Sequence, residues 1–582
     1  MFFSNKDYTP WYVFILFALV IFIKCILFNW ICFSASQEDY FLSLLMAVPQ
    51  KLVPALFLAS FVLVTKRPIW TIVVNLLIDT WIIANLFYFK ANGYFLSYEI
   101  MTMADNMDGF WNSLLSYVGW GIAAFPIITL VYALLIPYKY PYQPKYWHTL
   151  IIILLALSMN IGDQVLHRWR QVKQGKHASM RLVECLPFSH VYVYADAEWI
   201  DYNVWSQQYV KKFSIVSYLP ACLMYNWLAP LQQVELIDID ESRLAPFLSS
   251  SQSTTCAPQT NVVFLLVESL ESWSLSPVAG IDFLPNVSAM LRDEHVLCCR
   301  NLKPQVKHGN SADGQLIDVA GLLPITDGVV CNSFYANTYP SWAQCYEHSA
   351  IINPWHGVWK QDKMTPAYHF DALIEPKPKE KWSDADIANR VIQYMDTVAQ
   401  SFGLLGITIS SHVPFSYGTE NPKYKIDGMP AQLNAYLNCL TYADSCIGAI
   451  YRHVLESEML ATTTTLVISG DHTIFRAHDK AIDTYAKETN LDLHTTQTCT
   501  PLIIYSPSIA GNIQISDTCY QMDIYPTILH LMGCEEYYWK GFGVNLSDPD
   551  AIRNRPISEE QAYELSNQLI RSNYFKKFDT ND

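Results

Sequence analysis

The chain has 582 residues, more than one hydrophobic core usually organises, so at least two domains are expected. Its formal net charge is -15, and no Arg/Lys-rich segment interleaved with aromatics occurs, which excludes nucleic acid as a partner. Hydrophobic residues make up 51% and charged residues 16%, but the long apolar runs all lie before about residue 166, the pattern of a membrane domain fused to a soluble one.

Five apolar segments come first, at 11–33, 41–64, 68–89, 114–137 and 147–166, each near the ~20 residues that cross a bilayer as a helix. The second carries Pro49, Lys51 and Pro54, which kink it or set its start at the interface; without it four spans remain. The first is too long for a cleaved signal peptide and lacks a small-residue cleavage site, so it reads as a retained anchor. Lys66 and Arg67 lie between spans two and three, and Lys139 and Lys145 between four and five, whereas the other loops carry Glu38, Asp39, Glu99, Asp105 and Asp108. Positive-inside bias therefore puts the N-terminus in the cytoplasm, and five spans deliver the rest of the chain to the outside; four would reverse this. Trp11, Trp70 and Trp147 sit where an interfacial aromatic belt is expected. Lys24 and Asp79 lie inside apolar segments; Lys24 is expected to pair with another helix and Asp79 to cap or snorkel. Residues 168–258 read as a juxtamembrane connector. Its stretch from Phe213 to Pro230 fits either a helix in the interface plane or a core helix of the soluble domain.

Past the Ser/Thr-rich segment 249–255, the run from Asn261 to Val267 has the continuous apolar character of a fully buried strand. Similar strands are expected at 403–409 and 464–469, with helices including 384–400 and 431–457 between them. That alternation predicts an α/β domain with a mainly parallel central sheet over residues 259–582, following a helical membrane domain over 1–167. Ligands of such sheets bind at the carboxyl ends of the strands, where the sequence delivers Glu268, His412 and Asp471-His472. Those residue types are metal ligands and acid/base groups. The 14 cysteines form no C-x-x-C pairs; Cys439 and Cys446, on one helix face, read as core or disulfide cysteines. In an extracytoplasmic domain the cysteines from Cys256 to Cys534 can bridge, with the connectivity open.

Four blocks then carry a family resemblance: Asn261 to Ser269 followed by Leu284-Pro285-Asn286, His308-Gly309-Asn310-Ser311-Ala312-Asp313, Ser411-His412-Val413-Pro414-Phe415, and Ser469-Gly470-Asp471-His472. Asn337 to Ser341 and Asp523 to Leu531 support them. In order and spacing these blocks resemble the lipoteichoic acid synthase branch of the alkaline phosphatase and sulfatase superfamily, whose five-span topology is also similar. The resemblance implies an alkaline phosphatase-like fold and a phosphotransferase in which Ser311 takes the place of a nucleophilic threonine. It also implies one divalent ion held by Glu268, Ser311, Asp471 and His472. Manganese is the family's most frequent ion, and oxygen and imidazole ligands accept zinc or magnesium as well. No Cys-x-Pro-x-Arg sequence occurs, which argues against a sulfatase dependent on a modified cysteine.

The expected reaction moves a phosphoglycerol headgroup from a membrane phospholipid, through a phosphoserine at Ser311, to a glycan, glycolipid or polymer hydroxyl. His412 binds the phosphoryl group or protonates the leaving oxygen. The expected location is a bacterial-type cell membrane, multi-pass, with the catalytic domain extracytoplasmic. One departure bears on the substrate. Where the synthases carry Trp-Asn-Arg-Asp to grip glycerol phosphate, this chain has Trp359-Lys360-Gln361-Asp362, and Lys360 lacks the bidentate fork of an arginine. Phosphoethanolamine is the alternative headgroup, with His478 then at a second metal site. A phosphodiesterase using water, or a non-catalytic binding relative, is the second alternative, although the latter is expected to have lost one of the four ligand positions.

Overall fold

A computed structural model describes residues 10–33, 48–64, 67–92, 95–96, 120–137, 146–173, 209–211, 213–228, 239–250, 253–325, 328–398, 401–413, 415–474, 480–491, 493 and 499–578. They divide into two compact units, one up to Val234 and one from Glu235.

The first unit is helical: α1 Pro10–Phe33, α2 Val48–Ser60 with a 3-10 turn Phe61–Val64, α3 Ile69–Asn92, α4 Trp120–Leu135, α5 Tyr146–Lys173 and α6 Ile215–Leu228. Among the described residues, α1 and residues 69–90 of α3 are long and apolar enough to cross a membrane, and the apolar helices at 51–64, 121–135 and 146–159 are shorter. Residues 41–47 and 114–119 of the expected spans lie outside the described residues. The helix over the second expected span keeps Pro54 inside it, and the helix over the fifth runs on past residue 166 to Lys173. Leu19, Leu76, Leu77, Leu130, Leu134, Leu150 and Leu154 face outward, an apolar surface suited to hydrocarbon.

Aromatic side chains fill the interior of this unit, with Phe28, Phe33, Phe89 and Phe95 packed against Tyr209, Phe213 and Tyr218. The stretch from Phe213 onward therefore belongs to the helical unit and is no core helix of the second one; Trp81 Nε1 also donates to Ile215 O at 2.8 Å. Lys24 does pair with another helix, its Nζ lying 2.6 Å from Asp79 Oδ1. The same ammonium donates to Asn75 Oδ1 at 2.9 Å and Thr129 Oγ1 at 2.7 Å, and Thr129 Oγ1 donates to Asp79 Oδ2. Asp79 is only 4% exposed, so it does not snorkel: its carboxylate is met in place by Lys24 of α1 and Thr129 of α4.

Among the described residues, the second unit is built on one nine-stranded sheet, ordered β4-β3-β5-β1-β6-β7-β2-β8 with β9 also on β2. The strands are β1 Asn261–Val267, β2 Val296–Lys303, β3 His348–Ile352, β4 Ala372–Ile374, β5 Phe402–Ile407, β6 Thr464–Gly470, β7 Thr500–Tyr505, β8 Ile513–Ile515 and β9 Cys519–Tyr520. β4, β3, β5, β1 and β6 are mutually parallel, and β7 runs antiparallel to both β6 and β2. β1, β5 and β6 are buried along their whole length because both sheet faces are covered, which is why each reads as an uninterrupted apolar run. The helices that concern the site are α7 Ser311–Ala320, α8 Gln361–Ala367, α9 Asp384–Thr397, α10 Ala431–Glu456, α11 Ile524–Leu531 and α12 Glu559–Arg571. Cys439 and Cys446 are buried free thiols on α10.

The second unit begins before the Ser/Thr-rich segment. Ser249 N donates to Tyr538 O at 2.9 Å, Leu248 forms a β-bridge with Trp539, and the Phe247 and Phe542 rings meet at 5.1 Å. A disulfide joins Cys256, just ahead of β1, to Cys534 after α11.

Candidate active site

The register of the central strands carries the chemistry to one edge. Val267 of β1 pairs with Gly470 of β6, and Leu266 with Ile407 of β5, so the next residues of all three strands emerge side by side. Glu268 follows β1, and Ser269 turns the chain with a left-handed φ of 52°. That turn presses against β6: a Cβ at Gly470 would stand 2.1 Å from Leu270 O, so only glycine lets the two strand ends come this close. Tyr436 of α10 locks the turn by donating to Ser269 O at 2.6 Å.

Two carboxylates and an imidazole converge there. One ligand atom each of Glu268, Asp471 and His472 lies within 4.8 Å of the others, and all three residues are buried. His472 Nε2 is 3.6 Å from Glu268 Oε1 and 3.5 Å from Asp471 Oδ2. Its Nδ1 lies 3.2 Å from Thr473 O, a carbonyl that accepts only, so Nδ1 carries a proton there and Nε2 faces the two carboxylates. Asp471 Oδ1 accepts from Ser269 N at 2.7 Å and from His472 N at 2.8 Å. Ser311 opens α7 and donates from Oγ to Glu268 Oε2 at 3.3 Å. Sequence positions far apart therefore share one buried cluster. Burial pushes Asp471 up to about 6, with the Glu268 charge adding to the shift. Burial also opposes ionisation of Glu268, but the imidazoles of His412 and His472 and hydrogen bonds from Ser269 and Ser311 outweigh it and hold the carboxyl below its ordinary value. Two close carboxylates with an imidazole and a hydroxyl form a donor set that a divalent cation fits, since its charge relieves that repulsion.

The Ser311 loop is held from behind. Asn310 adopts φ 45°, and Asp313 Oδ2 accepts from Lys307 N and Gly309 N, each at 2.9 Å. Burial raises Asp313 to about 6 and drives His308 down to about 3.

His412 stands on the loop after β5, half-buried, with Nδ1 2.6 Å from Val413 O and its ring edge-on to Trp355 at 5.7 Å. Three other expected substrate residues lie on the turn into α8. Trp359 and Lys360 have left-handed φ values of 51° and 49°. Lys360 Nζ donates to Asn332 O at 3.2 Å and sits 4.2 Å over the Tyr335 ring. Gln361 is fully buried and donates from Nε2 to Gln315 Oε1 at 2.6 Å, which ties it to α7 one turn beyond Ser311. His478 lies outside the described residues. Sequence reading passed over Glu271, whose Oε1 accepts from Ile474 N at 2.6 Å, and Asp384, which holds the His412 loop. Neither belongs to a motif that distinguishes it, in the sequence, from a solvated acid.

The chain resembles known proteins in both of its halves. The family described as Lipoteichoic acid synthase N-terminal domain matches residues 2–171, and the family described as Sulfatase matches residues 336–534. Lipoteichoic acid synthase-like YvgJ of Bacillus subtilis is 24% identical over 315 residues, half of each chain. The lipoteichoic acid synthase of Staphylococcus saprophyticus is 20% identical over 583 residues, covering 94% of this chain and 85% of that one. Among solved structures, lipoteichoic acid synthase LtaP from Listeria monocytogenes superposes with a TM-score of 0.46 at 16% identity, over 58% of this chain and 97% of that one. The chain spans about half the length of YvgJ and of lipoteichoic acid synthase 1 of Bacillus subtilis, the latter 20% identical over 348 residues.

Proposed function

Given that the chain is a lipoteichoic acid synthase-like member of the alkaline phosphatase and sulfatase superfamily, we propose that it is a membrane-anchored, metal-dependent transferase of phosphoglycerol. The donor is a membrane phospholipid and the acceptor a hydroxyl of a glycan, glycolipid or polymer. The observation that carries this reading is Ser311 Oγ, 3.3 Å from Glu268 Oε2 inside a buried set of Glu268, Asp471 and His472. A serine hydroxyl is a weak nucleophile near neutral pH and needs such an environment to ionise.

Glu268, Ser311, Asp471 and His472 would hold a divalent cation, manganese by preference. When bound it lowers the cost of ionising the serine and neutralises charge on the phosphoryl oxygens. Ser311, its hydroxyl proton released to solvent before the donor binds, attacks phosphorus through Oγ, the bond to the diacylglycerol oxygen breaks, and a protonated His412 delivers its proton to that leaving oxygen. In the second half the acceptor hydroxyl gives its proton to His412 and displaces Ser311 from phosphorus as the alkoxide that began the cycle, which restores both side chains. Burial of the cluster keeps water from competing with the acceptor.

The outward location is supported by the Cys256–Cys534 disulfide, a bond that persists in oxidising compartments, and by the apolar helices of the first unit. A five-span, N-in topology is the arrangement that reconciles the two. A tethered site also meets a bilayer-confined donor at high effective concentration.

The deciding experiment incubates the chain and its Ser311→Ala variant with manganese and labelled phosphatidylglycerol or phosphatidylethanolamine, reading diacylglycerol release. Release from phosphatidylglycerol by the unmodified chain alone is expected. Release from phosphatidylethanolamine alone moves the headgroup to phosphoethanolamine, and no Ser311-dependent release from either removes the phospholipid donor.

A further inference from the structure

The loop that carries His412 is fastened on two sides. Toward β1, Thr408 N donates to Leu266 O at 3.1 Å, Thr408 Oγ1 accepts from Glu268 N at 3.0 Å, and Ser411 Oγ donates to Glu268 O. On the other side the fastening is one carboxylate oxygen. Asp384 Oδ1, from the first turn of α9, accepts from Ile409 N at 2.8 Å and from Ser410 N at 3.0 Å. Those two peptides open the turn that His412 closes, since His412 N donates to Ile409 O at 2.9 Å. Asp384 is 1% exposed, so water cannot take over as acceptor if the carboxylate is lost.

The helix itself does not require an acid at this position. Ser383 is its N-cap, accepting from Asp386 N, and the Asp386 side chain returns the bond to Ser383 N at 2.9 Å, which completes the capping box without Asp384. Burying an acid so close to Glu268 is unfavourable, and the loop hydrogen bonds are what it gains in return. The arrangement also recurs around the site. Asp313 accepts two N–H groups of the loop leading to Ser311, and Glu271 accepts Ile474 N just after Asp471-His472. Each loop that presents a reacting group is thus pinned by a buried carboxylate through its main chain.

We propose that Asp384 is a positioning residue for His412: its carboxylate oxygen fixes the 409–410 peptides and thereby the place of the imidazole against the substrate phosphate. The proposal rests on the phosphotransfer reading above.

The test is manganese-dependent diacylglycerol release from phosphatidylglycerol vesicles by the 582-residue chain, with kcat and KM measured separately. Asp384→Ala is expected to lower kcat by roughly 10- to 100-fold, the scale of a misplaced catalytic group, with KM within about 3-fold. Asp384→Asn keeps an oxygen acceptor in the same place and is expected to stay within about 3-fold of the unmodified chain in kcat. In a His412→Ala background, Asp384→Ala should cost nothing further, because the two changes act through one group. Independent, multiplying losses overturn the proposal, as does an Asp384→Ala chain with full kcat. Should Asp384→Ala fail to fold by circular dichroism, Asp384→Asn decides: retained kcat supports the proposal, and a loss of about 10-fold or more in a folded protein overturns it. Undiminished release by His412→Ala overturns the role of His412 and the proposal with it, whereas undiminished release by Ser311→Ala overturns the phosphotransfer reading itself.

Discussion

A Gly314→Ala substitution places a methyl group between α7, which carries Ser311, and the end of β6, which carries Asp471. The added Cβ would stand 2.9 Å from Asp471 O and 3.4 Å from Asp471 Cα and Cβ. Ordinary carbon-to-carbonyl contacts lie near ~3.3–3.6 Å, so the helix and strand must separate by roughly 0.5 Å. Two stability terms oppose each other: alanine gains about 1 kcal/mol of helix propensity over glycine, and overpacking costs about 1–3 kcal/mol. The net loss is about 0–2 kcal/mol, which moves the melting temperature of a unit this size by only a few degrees. Catalysis is far more sensitive. If a displacement of about 1 Å costs about 100-fold, half of that costs about 10-fold in Ser311-dependent release. Calorimetry and the diacylglycerol assay on the same preparation separate the two effects. Gly162→Ala, inside α5 where an added Cβ meets nothing within 4 Å, is the control: it should leave release unchanged and shift stability only by the helix-propensity gain of about 1 kcal/mol. Gly314→Ala activity equal to that of the unmodified chain would refute the claim that the α7 to β6 spacing sets the site, and so would an activity loss matched by wholesale unfolding.

Lys24→Met or Asp79→Leu alone should destabilise the helical unit by about 3–5 kcal/mol because each strands a buried charge, whereas the double variant should lie within about 1 kcal/mol of the parent, measured by thermal unfolding in detergent. Cys256→Ser should cost about 2–5 kcal/mol, seen as a fall of roughly 3–7 °C in the melting temperature of the second unit, with Ser311-dependent release at 20 °C nearly unchanged since the bridge lies at the opposite edge of the sheet from the site. Manganese at about 100 times its Kd should stabilise the unmodified chain by about 2.7 kcal/mol in a thermal shift, and that gain should vanish in Asp471→Asn and with excess chelator.

What the sequence determined by itself is the set of features that depend on local composition. The runs at 261–267, 403–409 and 464–469 were readable as strands because a strand covered on both faces must be apolar throughout, although the second is a strand over Phe402–Ile407. Glu268, His412 and Asp471-His472 were readable as site candidates because they directly follow those runs, and Ser311 because it stands in a motif. The half-polar β2, buried over its first four residues and partly exposed after them, carries no comparable signal, and β7, although apolar and buried throughout, does not announce its antiparallel pairing. Distance between chemically matched residues was decided by the tertiary structure alone. Nothing local to Lys24 names Asp79 as its counter-ion, nothing at Gln361 announces burial against Gln315, and an aspartate in the first turn of a helix is ordinarily a solvated residue complementing the dipole. Asp384 becomes something else only because the sheet brings the β5 loop over α9 and excludes water there, and an N–H group without water must find its acceptor in the protein.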